Sequence, residues 1–294
     1  MTSTADFNDL VERAMRAGNR SYMRPVIEKE LLHYDILFAL DKSGLLDPLT
    51  FQGGTALRLC YGSHRFSEDL DFVGGRDFAT TRLLDMKFCI ERHVGERYGM
   101  EVTVKEPKEM AQEPEYRHVQ VHKWQIRVVT APNRRDLPKQ MIKIEVANIP
   151  AYTRVPQLLR RNYDFLPDGY GDLMILVESR DEIMADKLVS LVDCTAYVRH
   201  RDIWDLHWLQ QEGAKFDGEL VRNKLKDYSA TDYKAKAARL IGRLPDIIHG
   251  KEFRDQMSRF IPLDVQERTL LKEKFLTLLG NETGKVLGIA ASVA

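Results

Sequence analysis

Residues 51–72 read FQGGTALRLCYGSHRFSEDLDF, which is the most informative pattern in the chain. It predicts a short strand that runs into Gly53 and Gly54, followed by a helix that ends at Gly62. A glycine pair between a strand and a helix lets backbone N–H groups approach an anion, and the helix N-terminus favours negative charge. We therefore predict that Gly53, Gly54 and the hydroxyl of Thr55 bind the phosphate groups of a nucleotide.

Two aspartates follow the glycine pair. Asp69 and Asp71 alternate with Leu70 and Phe72, so a strand directs both carboxylates to one face and both apolar side chains to the core. Neighbouring carboxylates repel one another unless a divalent cation lies between them. A lone glycine pair is typical of a turn, and a lone Asp-x-Asp of a solvated strand. In this order, the two motifs predict a two-ion Mg²⁺ site beside a phosphate cradle, which is the equipment for nucleotidyl transfer from an NTP.

A third acid fits the same site. Residues 141–146 read MIKIEV, so the apolar side chains after Met141 share one face and leave Lys143 and Glu145 on the other. If this strand lies beside the strand of the two aspartates, Glu145 completes a metal site of three carboxylates. A lysine–glutamate pattern on a solvated strand surface explains the sequence equally well.

Two charged residues in the second half of the chain have unusual surroundings. Lys187 has mainly apolar neighbours at helical spacing, so its ammonium group must either extend to solvent or meet an anion. Asp202 begins a predicted helix that it could cap, and Asp205 falls on the same face one turn later. Lys187 and Asp202 are therefore candidates for a catalytic role, with solvent exposure and capping as the ordinary alternatives.

The periodicity of the chain predicts an α/β (α+β) fold in two parts. A small mixed sheet belongs to a first domain, residues 1–150, and residues 151–294 form a helical domain, with 149–172 as the join between them. In the first part we predict helices near 22–44 and 77–97 and strands near 100–106, 118–130 and 140–147. In the second we predict helices at 181–197, 201–211, 217–226, 231–244, 250–259 and 265–280.

Composition excludes several classes of protein. The 294 residues include 44 Lys plus Arg and 44 Asp plus Glu, and hydrophobic and charged residues make up 44% and 30%. These values are typical of a globular protein and exclude a disordered, collagen-like or membrane-bundle protein. Zero net charge argues against a protein that binds nucleic acid over its whole surface, but it leaves room for a local basic face.

Cysteine usage and the N-terminal sequence bear on location. Cys60, Cys89 and Cys194 are far apart and form no CxxC pair, which indicates reduced thiols in the cytosol. The first residues lack a signal-peptide pattern, and no apolar run approaches the roughly 18 residues that a membrane span needs. We therefore expect a cytoplasmic protein without membrane contact.

One stretch of the second half has a surplus of positive charge. Residues 215–243 hold eight cations against four acids, and Tyr228 and Tyr233 among them could stack on bases. These helices could bind an RNA acceptor, although a solvated amphipathic face is the commoner explanation for any one of them. A second basic cluster consists of Arg134, Arg135, Lys139 and Lys143.

Five motifs occur in a specific order along the chain: GGTALR (53–58), SEDLDF (67–72), KIEV (143–146), EIMADKLVSL (182–191) and RHRDIWDL (199–206). Together they resemble the AbiEii-type nucleotidyltransferase toxin family of type IV toxin–antitoxin systems, within the DNA polymerase β-like superfamily. Two positions depart from the family pattern, since Thr55 stands where Ser is usual and Glu145 where Asp is usual.

This resemblance implies a polymerase β-like nucleotidyltransferase core. The enzyme would move a nucleoside monophosphate from an NTP to an acceptor hydroxyl, with the glycine motif on the nucleotide and Asp69 and Asp71 on Mg²⁺. The resemblance points to the 3′ end of tRNA as the acceptor, whose modification would stop translation and growth. It also implies a cognate antitoxin encoded nearby, without obligate direct contact.

Lys187 and Asp202 acquire expected roles from the resemblance, and Ser67 acquires one from its position in the sequence. We expect Lys187 to bind the nucleotide and neutralise the developing pyrophosphate charge, and Asp202 to position Lys187 or the nucleotide. Ser67 lies two residues before Asp69, at the edge of the nucleotide site. A phosphate on its hydroxyl would add roughly two negative charges there and block NTP binding.

Two other functions fit the same residues. The core could modify a small molecule such as an aminoglycoside, or a protein side chain, but a cationic acceptor calls for an acidic cleft. It could also be a nucleotide- or RNA-binding module without turnover, although such a module has no need for the Asp69–Asp71 pair.

Overall fold

The computed structural model describes residues 6–16, 20–107, 119–131 and 139–294. The chain divides into two compact units, one of residues 1–111 and 120–177 and the other of residues 112–119 and 178–294. Over their described residues, the first unit contains the sheet and the second is helical. The predicted fold class, a mixed sheet followed by a helical half, is confirmed. The roles assigned to the two predicted domains remain predictions.

The described part of the first unit is built on a seven-stranded mixed sheet. In spatial order its strands are β3 (Val102–Lys105), β4 (Val121–Val128), β5 (Gln140–Ala147), β2 (Leu70–Val73), β1 (Thr50–Gln52), β7 (Met174–Val177) and β6 (Val155–Leu158). The pairs β2–β5 and β1–β7 are parallel, and the remaining pairs are antiparallel. Strand β2 therefore lies at the centre of the sheet, between β5 and β1.

Helices cover one face of the sheet. Helix α2 (Arg24–Lys42) contacts β5, and helix α4 (Met86–Tyr98) contacts β3 and α2. The remaining helical segments of this unit are α1 (Phe7–Arg16), α3 (Gly53–Ala56) with its π-helical continuation Leu57–Tyr61, and a 3₁₀ turn at Thr80–Leu83. Gly62 ends the π-helical segment with a left-handed φ of 89°, as the sequence predicts.

The two faces of the sheet differ in chemistry because successive side chains of a strand point to opposite sides. On the covered face, apolar residues such as Phe51, Phe72 and Ile144 are fully buried. On the other face, the central and β3-side strands present polar side chains that are partly or fully exposed. We call this second side the open face.

The second unit consists of helices over its described residues after Val177. They are α5 (Arg180–Asp193), α6 (His200–Gln211), α7 (Gly218–Asp227), α8 (Tyr233–His249), α9 (Lys251–Ser258), α10 (Leu263–Arg268) and α11 (Glu273–Val293). No helix in the described residues is both long enough and apolar enough to cross a membrane.

Three of the predicted elements are wrong in part. Residues 149–172 are more than a join, because β6 lies within them and forms the edge of the sheet, where Pro156 is tolerated. The helix predicted at 77–97 begins only at Met86, after the 3₁₀ turn. The helix predicted at 265–280 is two helices, because Thr269 leaves the helical conformation with φ −129° and ψ −84°.

Candidate active site

The acidic residues of the first unit come together at the centre of the open face. Strands β2 and β5 pair with Asp71 opposite Glu145, so the two side chains leave the sheet on the same side. Asp69 comes directly before β2, and its Oδ1 accepts a hydrogen bond of 3.2 Å from the backbone N–H of Lys143. The strand of Glu145 is thus a neighbour of the strand of the aspartates, which is the condition for a site of three carboxylates.

Two lysines lie against these carboxylates. Lys143 Nζ is 3.9 Å from Asp69 Oδ2, and Lys123 Nζ is 3.7 Å from Glu145 Oε1. Because the lysine side chains are 39% and 37% exposed, these ion pairs are solvated and individually weak. A cross-strand lysine–glutamate pair, the alternative explanation of Glu145, is therefore present as well. The two interpretations are compatible, since a divalent cation can replace an exposed ammonium group.

Each glycine of the pair allows a close approach to the side chains of the site. Gly53 has φ +75°, and a Cβ on it would lie 2.6 Å from Asp71 Oδ2. A Cβ on Gly54 would collide with the guanidinium of Arg65 and lie 2.9 Å from Ser67 Oγ. Glycine is needed at both positions because it has no Cβ, and at Gly53 also because of the left-handed backbone. The main chain of the glycine pair thus borders Asp71 on one side and Ser67 on the other.

The backbone before Asp71 is held by two buried groups. The Thr55 hydroxyl donates a hydrogen bond to the carbonyl oxygen of Asp69, and Nε2 of His33 lies 3.0 Å from the carbonyl oxygen of Glu68. Burial lowers the pKa of His33 to about 4, so the ring is neutral at pH 7, with the Nε2 proton donated to the carbonyl. The hydroxyl hydrogen of Thr55 is thus used to position Asp69. Its direct contact with phosphate remains a prediction.

A buried ion pair that sequence reasoning missed fixes the loop between the helix and β2. Arg58 donates to both carboxylate oxygens of Glu30, at 2.7 and 3.0 Å, and to the carbonyl oxygen of Ser63 at 2.9 Å. Burial alone would raise the pKa of Glu30, but the Arg58 guanidinium holds it below its usual value. The available signal was an arginine inside the GGTALR motif, among apolar residues.

The second unit holds Lys187 and Asp202 in one buried ion cluster. Lys187 Nζ is 2.8 Å from Asp202 Oδ1 and 2.7 Å from Asp205 Oδ2, so it meets anions instead of extending to solvent. Asp202 also accepts hydrogen bonds from Arg199 and from Ser190. Burial would raise the pKa of Asp202, but Arg199 and Lys187 hold it well below its usual range. Asp202 lies within the first turn of α6 and does not cap it, because the N-cap is Arg199.

A second buried cluster removes one cation from the predicted basic face. Lys224 Nζ lies 3.0 Å from Glu178 Oε1, 2.7 Å from Glu182 Oε1 and 2.8 Å from Asp186 Oδ2. These three acids are close enough to hold a metal ion, but the ammonium group of Lys224 lies among them. Burial and the charge of Asp186 raise the pKa of Glu178 well above its usual range. Lys224 is a structural residue and cannot contact RNA.

The other cations of residues 215–243 are mostly at the surface. Lys236 pairs with Asp193 at 2.5 Å. The exposed ones are Lys215, Arg222, Lys226, Lys234, Arg239 and Arg243. Of the second predicted basic cluster, Lys139 and Lys143 are described, whereas Arg134 and Arg135 lie outside the described residues.

Comparison with known proteins identifies a family and several similar solved structures. A family model for the nucleotidyl transferase AbiEii toxin of type IV toxin–antitoxin systems matches residues 35–281. A crystal structure of a candidate nucleotidyltransferase from H. pylori is similar at 20% identity and a TM-score of 0.50, over 91% of this chain and 95% of that one. JHP933 from Helicobacter pylori has 21% identity and a TM-score of 0.43, over 91% and 92% of the two chains. No curated protein matches the chain.

Proposed function

This chain belongs to the AbiEii family of nucleotidyltransferase toxins of type IV toxin–antitoxin systems, and we propose that it transfers a nucleoside monophosphate from an NTP to the 3′ hydroxyl of an RNA, tRNA above all. The acceptor hydroxyl loses its proton to water and its oxygen forms a bond to the α-phosphorus. The bond between the α-phosphorus and the oxygen that bridges to the β-phosphorus breaks, and pyrophosphate leaves. The register of Asp71 opposite Glu145, with the Gly53 backbone against Asp71, carries this proposal.

The carboxylates of the site suit Mg²⁺. Asp69, Asp71 and Glu145 offer only oxygen ligands, which hard divalent cations prefer. Two ammonium groups already lie within 4.0 Å of two of these carboxylates, so the site attracts cations. When bound, Mg²⁺ would polarise the transferred phosphate and favour deprotonation of the acceptor hydroxyl.

The chain's own residues orient the reactants around these carboxylates. The backbone N–H groups of Gly53 and Gly54 bind the terminal phosphates, because glycine has no Cβ of its own to keep a phosphate from the main chain. Ser67 lies beside Gly54 at the same edge, where it contacts the nucleotide and where a phosphate on it would repel NTP. Thr55 and His33 keep the carboxylates in place through the backbone of Asp69 and Glu68.

In the second unit, Lys187 is the group proposed to stabilise the pyrophosphate charge. Its two carboxylate partners, Asp202 and Asp205, hold its ammonium group at one position. Arg199 offsets part of their charge, so the cluster of two cations and two anions is neutral. We propose Asp202 as the positioning residue for Lys187, and Asp205, one turn later on the same face of α6, as its second support.

The acceptor is proposed to be tRNA because the exposed cations of residues 215–243 suit a polyanion. Modification of the 3′ end of tRNA would arrest translation and growth in the cytoplasm. We further propose a cognate antitoxin encoded nearby that limits this toxicity without obligate direct contact.

The test is the incubation of the full chain and MgCl₂ with each of the four NTPs, labelled at the α-phosphate, and bulk tRNA. Parallel reactions replace tRNA with a protein mixture or with an aminoglycoside. We expect label at the 3′ end of tRNA with one NTP preferred. Label on the protein or the small molecule alone contradicts the RNA acceptor, and label that stays in free NTP in every reaction contradicts turnover.

A further inference from the structure

The open face on the β5 side of the carboxylates is basic over three strands. Register places Lys123 opposite Glu145, and the period-2 alternation of β4 puts Arg127 on the same face. Lys105 of β3 lies opposite Gln125. Gln125 is two residues from Lys123 on β4, so Lys105 lies on the same face as Lys123. With Lys143 of β5, these residues form what we call the basic strip: Lys105, Lys123, Arg127 and Lys143.

The basic strip faces solvent. Lys105 and Arg127 are exposed, and Lys123 and Lys143 are 37% and 39% exposed. The exposed pair Lys139–Glu101, at 3.8 Å, adds no net charge to the same region. Neighbouring strands are roughly 5 Å apart, so the strip extends roughly 10 Å beyond β5, away from β2.

The basic strip and the glycine pair lie on opposite sides of β2, so the two would bind different reactants: the strip would bind the acceptor and the glycine pair would bind the NTP. In the sheet order, β1 and the glycine pair that follows it lie on one side of β2, and β5, β4 and β3 lie on the other. In phosphoryl transfer the attacking and leaving oxygens are in line on opposite sides of the phosphorus. If the pyrophosphate portion lies at the glycine pair, the acceptor must approach the carboxylates from the side of the basic strip.

We infer that the basic strip binds the phosphodiester backbone of the acceptor RNA and guides its 3′ end to the carboxylates. This inference rests on the proposed function, since it assigns the acceptor of that same site. Four cations spread over three strands match a chain of phosphates better than one compact anion. Contacts of this kind are sequence-independent and sensitive to salt.

The test uses the double variant Lys105→Glu/Arg127→Glu, because these two cations are remote from the carboxylates. Arg82→Glu/Lys87→Glu is the matched control, since it makes the same charge change at exposed residues of the 3₁₀ turn and α4. Binding of fluorescent bulk tRNA to the full chain is measured by anisotropy at several KCl concentrations, and transfer of labelled NMP is measured in parallel.

We expect the Lys105→Glu/Arg127→Glu variant to bind tRNA at least tenfold more weakly, with a salt slope reduced by about two. The KM for NTP should stay unchanged, and the control should stay within threefold of wild type. The milder Lys105→Gln/Arg127→Gln variant should show a smaller loss in the same direction, which guards against misfolding.

Failure of this inference and failure of the proposed function give different results. If wild type binds and labels tRNA but both charge-reversed variants behave alike, the basic strip is not the acceptor surface. If wild type neither binds nor labels tRNA, the proposal of an RNA acceptor is wrong, and the inference about the basic strip is wrong as well. Normal tRNA binding by the strip variant together with weaker binding of an acidic protein would assign the strip to a protein partner.

Discussion

The substitution Gly53→Ala separates the backbone requirement of the glycine from its role at Asp71. Gly53 has φ +75° and Gly75 has φ +84°, so alanine at either position meets the same unfavourable backbone. An L-residue in this conformation costs about 1–2 kcal/mol. We therefore expect Gly53→Ala and the control Gly75→Ala to lose about the same free energy of unfolding.

The two variants differ in what the new methyl group meets. At Gly75 nothing lies within 4 Å, whereas at Gly53 the Cβ would be 2.6 Å from Asp71 Oδ2. Ordinary contact begins at 3.4 Å, so the carboxylate or the backbone must move by about 0.8 Å. Because a misplacement of about 1 Å can lower the rate about 100-fold, we expect kcat of Gly53→Ala to fall by about that factor.

The assay is transfer of α-labelled NMP to bulk tRNA at saturating NTP and MgCl₂, with urea unfolding of each variant beside it. Gly75→Ala should keep kcat within about threefold of wild type, because its loss is confined to stability. If Gly53→Ala and Gly75→Ala have equal kcat, the close approach of Gly53 to Asp71 is not needed for catalysis, and the reasoning is refuted.

Three further predictions concern charge and protonation. Lys224→Met leaves buried acids without their cation and should lower the unfolding free energy by about 3–5 kcal/mol. The control Lys226→Met, at an exposed residue, should change it by less than about 0.5 kcal/mol. Equal changes in the two variants would contradict a stabilising role of the buried Lys224 ion cluster. His33 has a pKa of about 4 when folded against 6.5 as its reference value, so only the unfolded state takes up the proton between these values. The unfolding free energy should therefore fall by about 3 kcal/mol from pH 7 to pH 4. His33→Gln should abolish this contribution to the pH dependence of the unfolding free energy. An unchanged pH dependence in His33→Gln would show that other groups cause it. Glu145→Gln should raise the Mg²⁺ concentration for half-maximal transfer by about tenfold or more, and an unchanged Mg²⁺ dependence would leave Glu145 as a partner of Lys123 alone.

Local properties of the sequence locate the centre of the candidate site. The glycine pair and the alternation around Asp69 and Asp71 depend on conformational freedom and strand period, both of which are encoded within a few residues. The observed bounds of β5 agree with the predicted strand at 140–147, and β2 is the strand predicted around Asp71. The neighbourhood of Glu145 and Asp71 could be stated only as a condition, because it depends on which strands pair.

The residues that sequence reasoning missed are paired over long distances along the chain. Arg58 meets Glu30 from another helix, and Lys224 meets acids more than thirty residues away. A lysine in a polar helix has the same appearance in the sequence whether it is solvated or buried, so Lys224 was assigned to the basic face. The basic strip has the same origin, because Lys105 and Arg127 share a face only through the register of β3 and β4.

The rate of NMP transfer by Asp69→Asn/Asp71→Asn shows whether the carboxylates of Asp69 and Asp71 are required for the reaction. Asparagine keeps the size of each side chain and removes the charge that would hold Mg²⁺. The matched control is Asp77→Asn/Asp85→Asn, which removes two charges from exposed residues of the same unit. We expect the first variant to fold and to lose transfer by at least about 1,000-fold, a loss of about 4 kcal/mol in transition-state stabilisation, with the control near wild type. Transfer by Asp69→Asn/Asp71→Asn at the rate of the control would contradict the assignment of this site.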